Sequence, residues 1–269
     1  MKKPLFNQVC IVGVGLIGGS LGLAIKKRRL SRWVVGVVRR DETAKQAIRM
    51  RALDMATLNL KAGVQDADLV ILAGPISTIV SQLKCLSGYL SPKAIVMDVG
   101  SSKGGINAVA GRFLKKNIFV GCHPMAGSEK CSIRYANPAL FEGSICFVTQ
   151  RNAKVRSFWR ALGSRPIFIK DHDHDAWVAR SSHLPHLIAF ALFRGMDAKY
   201  PMNPSLKDLS RLASSHSALW ADIFLSNRRQ VMAASAEFQK NISKLQKALR
   251  LKNRNALIRF IEYAHKQTS

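Results

Sequence analysis

Gln8-Val9-Cys10-Ile11-Val12-Gly13-Val14-Gly15-Leu16-Ile17-Gly18 opens the chain with an apolar run that meets three glycines spaced G-x-G-x-x-G. Residues 8–14 predict a buried strand, Leu16–Lys27 a helix and Trp33–Val38 a second strand, together one βαβ unit. In that setting each glycine has a physical task. Gly13 permits a tight turn, Gly15 lets a pyrophosphate approach the backbone, and Gly18 lets the helix pack closely on the sheet. Leu16 and Ile17 complete the same cofactor-binding turn. Gly13, Gly15, Gly18 and Gly19 interrupt the apolar stretch Val9 to Ile25 at ordered spacing, which argues against a secretory signal although Lys2 and Lys3 precede it.

Working outward, Asp41 can cap a helix running to about Leu53. Asp68–Ala73 is apolar after its first residue and reads as a strand, with Pro75 and a helix to about Leu86 behind it. The pattern returns with Ala94–Asp98 and a helix after Gly104, then with a short strand Ile118–Cys122 that delivers His123 to its carboxyl end. Ser144–Thr149 and Pro166–Ile169 read as final strands around a helix capped by Asn152. The fold class is therefore α/β. Residues 1–170 form a doubly wound, Rossmann-type dinucleotide-binding domain with its ligand at the strands' carboxyl ends. Residues 171–269 show helical periodicity throughout and form a helical substrate and dimerisation domain, with Pro185 expected to kink one long segment and Pro201 and Pro204 to break the chain. Leu187 to Phe193 and the heptad-like Phe238, Ile242, Leu245 and Leu249 offer more apolar surface than one small core needs, which predicts a homodimer through the helices.

The dinucleotide fingerprint expects an acidic residue about 20 positions past the glycines, where it would hold the ribose hydroxyls of NAD. This chain has Val38 there, followed by Arg39 and Arg40. A carboxylate repels a 2′-phosphate, whereas a guanidinium makes charge-assisted bonds to it of about 1.5–3 kcal/mol each. NADP is the preferred cofactor on this reading. NAD stays open, with Arg39 stacking on adenine instead.

Composition bounds the partners. The net charge of +26, from 42 Lys and Arg against 16 Asp and Glu, favours anionic ligands, but the basic residues are spread over the whole length without an aromatic recognition motif. Lys26-Lys27-Arg28-Arg29 falls where the first helix ends and suits its dipole. No specific nucleic acid is expected, and no later apolar run is long enough to span a bilayer. Five cysteines without C-x-x-C or zinc spacing read as reduced thiols of a cytoplasmic protein.

Two histidine groups carry the candidate chemistry: His123-Pro124-Met125-Ala126-Gly127-Ser128-Glu129 and Ser182-His183-Leu184-Pro185-His186. Neutral imidazole exchanges a proton near pH 7, so two such groups behind a nucleotide-binding start point to proton-coupled chemistry on a bound cofactor. Together with IVGVGLIGGSLG, Asp98-Val99-Gly100-Ser101-Ser102-Lys103, and Lys207-Asp208-Leu209-Ser210-Arg211 with Trp220-Ala221-Asp222-Ile223, they resemble, in order and rough spacing, the prephenate and arogenate dehydrogenase family of tyrosine biosynthesis.

That resemblance implies NAD(P)-dependent oxidative decarboxylation of a cyclohexadienol, prephenate to 4-hydroxyphenylpyruvate, or arogenate to tyrosine directly. It casts His123 as the hydrogen-bond acceptor for the ring hydroxyl, with Ser101 orienting that hydroxyl or the imidazole. Arg211 binds a substrate carboxylate and His186 the side chain. His183 lies on the same helical face, Glu129 belongs to a polar network at the pocket, and Trp220 and Asp208 shape its wall. The second histidine of the SHLPH group and Glu129 incline the choice to prephenate. No C-terminal regulatory domain or fused chorismate mutase is expected.

Plainer readings stand beside these. His123 can be a hydrogen-bonded strand-end histidine, Ser101 a helix cap, and Arg211 the partner of Asp208 or Asp222 in an ion pair. Asp171-His172-Asp173-His174-Asp175 invites a metal site, but an H-x-H pair at a helix start diverges by about 200° and first-turn acids suit the dipole. Cys122 should face the core, since neighbours on a strand point to opposite faces. Two rival functions remain: another two-domain dehydrogenase of the hydroxyacid or pyrroline-carboxylate type, which leaves both histidine motifs unexplained, and a basic nucleic-acid-binding Rossmann protein, which ignores the histidines.

Overall fold

A computed structural model describes residues 3–128, 130, 132–197 and 202–267; Glu129, Cys131 and Pro201 lie outside them. One eight-stranded sheet has the order β3-β2-β1-β4-β5-β6-β7-β8. Its strands are β1 (Phe6–Val12), β2 (Ser31–Val37), β3 (Met55–Thr57), β4 (Leu69–Leu72), β5 (Ile95–Asp98), β6 (Ile118–Pro124), β7 (Ile145–Val148) and β8 (Arg165–Phe168). The first six run parallel in the 3-2-1-4-5-6 order of a dinucleotide-binding fold. β7 is antiparallel to β6, placing Phe147 opposite His123, and β8 pairs parallel with β7.

Every residue of β4 and β5 is buried, because helices cover both faces of the sheet. The intervening helices are α1 (Leu16–Lys27), α2 (Asp41–Arg49), α3 (Leu60–Val64), α4 (Ile76–Leu86), α5 (Gly104–Phe113) and α6 (Ala153–Ala161). Asn152 caps α6 by accepting the Val155 N–H. At the end of α1, Lys26 pairs with Asp54 and Arg28 with Glu142, so that basic cluster ties the helix to its surroundings.

Two expectations fail here. The helix from Asp41 stops at Arg49 instead of near Leu53, and Arg40 rather than Asp41 takes the cap position, leaving Asp41 and Glu42 in the first turn. Arg51 turns the chain through a positive φ of 58°, and Ala52 and Leu53 then bury against Gly22 and Gly36. A Cβ on Gly22 would lie 2.3 Å from the Ala52 carbonyl, so this close return closes off the helix and starts β3, a strand the periodicity did not reveal.

From Asp171 onward the described residues are helical: α7 (Asp171–Val178), a π-helical turn at Ala179–His183, α8 (Leu184–Arg194), α9 (Pro204–Ala213), α10 (Ser217–Ser226), α11 (Arg228–Arg250) and α12 (Arg254–His265). Pro185 follows a break in the regular α-helical pattern, the π-helical turn. It sits in the first turn of α8, where its missing N–H has little cost. Trp220 and Ile223 of α10 join the core formed by Ile76, Ile79 and Leu83 of α4, and the Asp222 carboxylate accepts the Ser77 N–H at 3.0 Å. The helical half is thereby fixed across the carboxyl ends of the strands. No described helix is long and apolar enough to cross a membrane.

Candidate active site

The glycine turn between β1 and α1 is shaped for a dinucleotide. Gly13 has φ +97°, and a Cβ there would stand 2.9 Å from the Gly74 nitrogen. A Cβ on Gly18 would lie 2.0 Å from the Gly13 carbonyl oxygen, so the helix could not approach the turn. Gly15, at the start of α1, has nothing within 4 Å of its ideal Cβ position: the space is open on the side where a phosphate would approach, and no side chain caps the helix. The following residues, Leu16 and Ile17, begin α1. Arg39 and Arg40 are exposed just past the end of β2, between it and α2. These residues fit a nicotinamide dinucleotide.

His123 comes from β6 and sits within the strand, bracketed by its pairing to Phe147. Its neighbour Cys122 points into the core, where Trp159 Nε1 donates to its Sγ at 3.4 Å. The residue as a whole is half-buried. Burial above all, then the nearby His174, Lys103 and His183, pushes its pKa well below the usual 6.5, so the ring is neutral at pH 7.

Behind His123 stands a chain of polar groups that the sequence analysis did not assign. His123 Nδ1 lies 2.9 Å from His174 Nε2, and His174 Nδ1 lies 2.8 Å from Asp175 Oδ1. Asp175 accepts the backbone N–H of Lys103 through Oδ1 and that of Gly104 through Oδ2, at 2.7 and 2.8 Å. Burial raises its pKa, but the His174 and backbone hydrogen bonds outweigh that and hold the carboxyl below its ordinary value. His172, by contrast, is exposed on the far side of α7, so the H-x-H pair diverges as its spacing requires. Among the described residues no three His, Cys, Asp or Glu side chains gather as a metal site.

The motif Asp98 to Lys103 is a buried brace. Lys103 and Asp98 are both fully buried and ion-paired, and Lys103 Nζ also donates to the Cys122 carbonyl at 2.7 Å, one residue before His123. Ser101 lies in the same loop, three residues past the end of β5, with β6 as the adjacent strand. The loop's Ser102 hydroxyl donates to Ser226 at 3.0 Å and so touches the helical half.

The helical half contributes three rings. His186 stacks on Trp220 with centroids 3.6 Å apart at 21°, while His183 meets the same indole edge-on at 6.0 Å. The two histidines thus share a face, as expected. Asn227 donates from Nδ2 to the Asp175 carbonyl and to His183 Nδ1, which leaves His183 carrying its proton on Nε2. His183 is buried and its pKa falls to about 4, mainly by desolvation. His186 donates from Nδ1 to the Ser182 carbonyl at 2.9 Å, and burial together with nearby Arg211 lowers its pKa. Arg211 is exposed on α9, close to His186, and makes no ion pair among the described residues; Asp222 is engaged with α4 instead. Asp208 is exposed on the same helix. His183, Trp220 and His186 are therefore in ring contact, with His123 at the carboxyl end of β6 close enough to feel His183 and Arg211 close enough to feel His186.

Comparison with known proteins gives the same outline. Residues 21–166 match the family model described as the nucleotide-binding domain of prephenate dehydrogenase, and residues 170–263 its dimerization domain. A prephenate dehydrogenase of Lactococcus lactis is 29% identical over 97% of this chain and 76% of its own length. A cyclohexadienyl dehydrogenase of Zymomonas mobilis is 28% identical over 97% and 95%. The crystal structure of Aquifex aeolicus prephenate dehydrogenase with hydroxyphenyl propionate and NAD+ superposes with a TM-score of 0.85 at 29% identity, covering 100% of this chain and 98% of that one. The Synechocystis arogenate dehydrogenase structure gives 0.81 at 27% identity, with 97% and 98% covered. With both matched domains in register with the sheet and the helical half described above, this chain belongs to the prephenate dehydrogenase family.

Proposed function

We propose that the chain catalyses the NAD(P)-dependent oxidative decarboxylation of prephenate to 4-hydroxyphenylpyruvate in tyrosine biosynthesis. The observation that carries this reading is the neutral imidazole of His123 at the carboxyl end of β6, backed by the bond from its Nδ1 to His174, with the His183–Trp220–His186 rings and nearby Arg211 on the helical side. An oxidised nicotinamide held by the glycine turn would supply the hydride acceptor. Hydride leaves the ring carbon that bears the hydroxyl, and the bond to the ring carboxylate breaks with its electron pair entering the ring. Carbon dioxide departs and the ring becomes aromatic.

His123 accepts the hydrogen bond of the hydroxyl while that oxygen gains carbonyl character, and the proton remains with the phenol oxygen at the end. Ser101, in the loop after β5, orients that hydroxyl or the imidazole, and Arg211 holds a substrate carboxylate, for which its planar fork is suited. His186 and Trp220 line the side-chain end, with His183 behind them as a fixed donor. Glu129 keeps its assignment to the pocket's polar network, outside the described residues. Excluding water around these groups strengthens each of their electrostatic contacts.

The glycine turn of Gly13, Gly15, Leu16, Ile17 and Gly18 holds the pyrophosphate. Arg39, with Arg40 beside it, favours NADP over NAD, because the end of β2 offers a guanidinium where a ribose-binding carboxylate would otherwise stand. The apolar surface left on the helices, including Leu225 at 73% and Leu249 at 62% exposure, supports a homodimer.

One observation supports arogenate as a second substrate. The Ser182 carbonyl fixes the proton of neutral His186 on Nδ1, so its Nε2 offers an acceptor that suits an ammonium group. Purified protein mixed with prephenate or arogenate and either NAD+ or NADP+, followed by nicotinamide absorbance and carbon dioxide release, tests these readings. Turnover with neither substrate would overturn the function. Replacing Arg39 with Ser should weaken NADP+ at least tenfold more than NAD+; equal effects would reject the phosphate-reading role.

A further inference from the structure

The mechanism proposed above needs an acceptor nitrogen on His123 but does not say what puts the proton on the other nitrogen. Neutral imidazole exists as two tautomers, and only the one with a bare Nε2 can take a hydrogen bond through Nε2 while Nδ1 is engaged with protein. The groups behind His123 decide which is present.

Burial raises the Asp175 carboxyl, but the bond from His174 and the two backbone N–H groups accepted by its two oxygens hold it below the ordinary value, so it faces His174 as a carboxylate. A carboxylate only accepts. His174 Nδ1, 2.8 Å away, must therefore carry the proton that it donates. A His174 that donates through Nδ1 and carries no second proton is left with a bare Nε2, which in turn only accepts from the His123 Nδ1 that lies 2.9 Å from it. The order of donation runs His123 to His174 to Asp175, and it leaves His123 Nε2 as a lone pair. His174 is held in this place by the edge-on ring of Phe147, whose backbone pairs with that of His123 itself. It is fully buried.

We infer that His174 is a positioning residue, which with Asp175 locks His123 into the tautomer whose Nε2 accepts the substrate hydroxyl. The chain is a lock and not a proton wire, because the reaction proposed above returns the hydroxyl proton to the oxygen it came from. Protonating His174 would reverse its bond to His123 and place the His123 proton on Nε2. Replacing Asp175 by Asn allows the same reversal, since an amide can donate to His174 Nδ1. An orienting carboxylate behind a catalytic histidine has a large effect in serine proteases, where its conversion to the amide costs about 10⁴-fold in turnover through the wrong tautomer.

This inference rests on the proposed role of His123, but its first test does not need activity. Imidazole nitrogen NMR of the histidine-labelled protein without substrate, at about pH 8 where unperturbed imidazoles are neutral, reads the tautomer directly. The expected result is a protonated Nδ1 and a bare Nε2 on His123, assigned by loss of the signals in His123→Asn. A protonated Nε2 on His123 overturns the lock whatever the enzyme does.

The second test compares His174→Gln with His174→Phe. Gln keeps an acceptor oxygen facing His123, with its amide nitrogen able to bond Asp175, whereas Phe fills the space without one. Turnover is expected to stay within about tenfold of the parent in Gln and to fall by about 100-fold or more in Phe, with KM and dinucleotide affinity little changed in either. Equal loss in both variants, or a loss confined to KM, would mean that His174 only packs. If Phe fails to fold, the Gln variant together with the NMR tautomer of the parent still decides. A correct tautomer in a protein that turns over neither substrate would refute the proposed function and leave the lock standing.

Discussion

Replacing Lys103 with Met tests the brace beneath the site. The Lys103 ammonium and the Asp98 carboxylate are each wholly buried, and Lys103 also holds the Cys122 carbonyl. Met matches the stem of the side chain but removes the charge and both hydrogen bonds. Asp98 is then left with the Gly100 N–H on Oδ2 and no protein partner on Oδ1. Breaking a buried pair from one side costs about 3–5 kcal/mol. Proton uptake limits the cost: desolvation already holds the Asp98 pKa above 3.8 despite Lys103, and losing the cation raises it further. At about pH 8 the penalty should be at the upper end of the range, and it should shrink as the pH falls and the carboxyl becomes neutral. At about 2–4 °C per kcal/mol, the expected loss of melting temperature is about 6–20 °C. Calorimetric melting of Lys103→Met and of Asp98→Asn/Lys103→Met across that pH range is the assay. The double variant should regain at least half of the loss at high pH. A single variant within about 1 kcal/mol of the parent, or a double variant no better than the single, would show that the buried pair does not brace this region.

Other outcomes follow from the same geometry. Gly15→Ala should fold normally, because its Cβ meets open space, yet bind dinucleotide at least tenfold more weakly; Gly18→Ala should instead lose stability, its Cβ being 2.0 Å from a carbonyl oxygen. Melting and dinucleotide titration of both separate the two roles, and an unaltered affinity in Gly15→Ala would count against a phosphate there. The protein should also lose stability as pH falls from about 6.5 to about 4. His183 has its folded pKa lowered from 6.5 to about 4, so in that window the unfolded chain binds more protons and stability rises with pH. The span corresponds to about 3 kcal/mol, to which His123 adds in the same direction. Denaturant unfolding at several pH values should show the slope, reduced in His183→Gln; a flat profile would contradict the buried neutral imidazole.

Much of this was legible in the chain because it depends on local spacing. The glycines at 13, 15 and 18 mark the β1–α1 turn whatever surrounds them, the alternation of apolar runs and helices gives the sheet, and the histidine motifs mark the strand end and helix face that carry the candidate residues. What was hidden depends on contacts between distant residues. Asp175 looked like one more acid suited to a helix start, and only the fold brings the N–H groups of Lys103 and Gly104 to it from more than seventy residues away. His174 was read with His172 as a diverging pair. The divergence was correct, and the burial of one member that puts it against His123 exists only in the fold. The π-helical turn before Leu184 has no local signal, since nothing in Ala179-Arg180-Ser181-Ser182-His183 distinguishes it from an ordinary helix. Likewise β3 has three residues, too short for any periodicity, and exists because Ala52 and Leu53 must return to the core.

The central claim is that the imidazole of His123 takes the hydrogen bond of the ring hydroxyl as hydride leaves. Steady-state turnover of His123→Asn with saturating dienol and dinucleotide tests it most directly, alongside dinucleotide binding by the same preparation. Turnover should fall by about 100-fold or more with cofactor affinity unchanged, the scale for loss of a positioned acid–base group. A variant that turns over at the parent's rate would contradict the account.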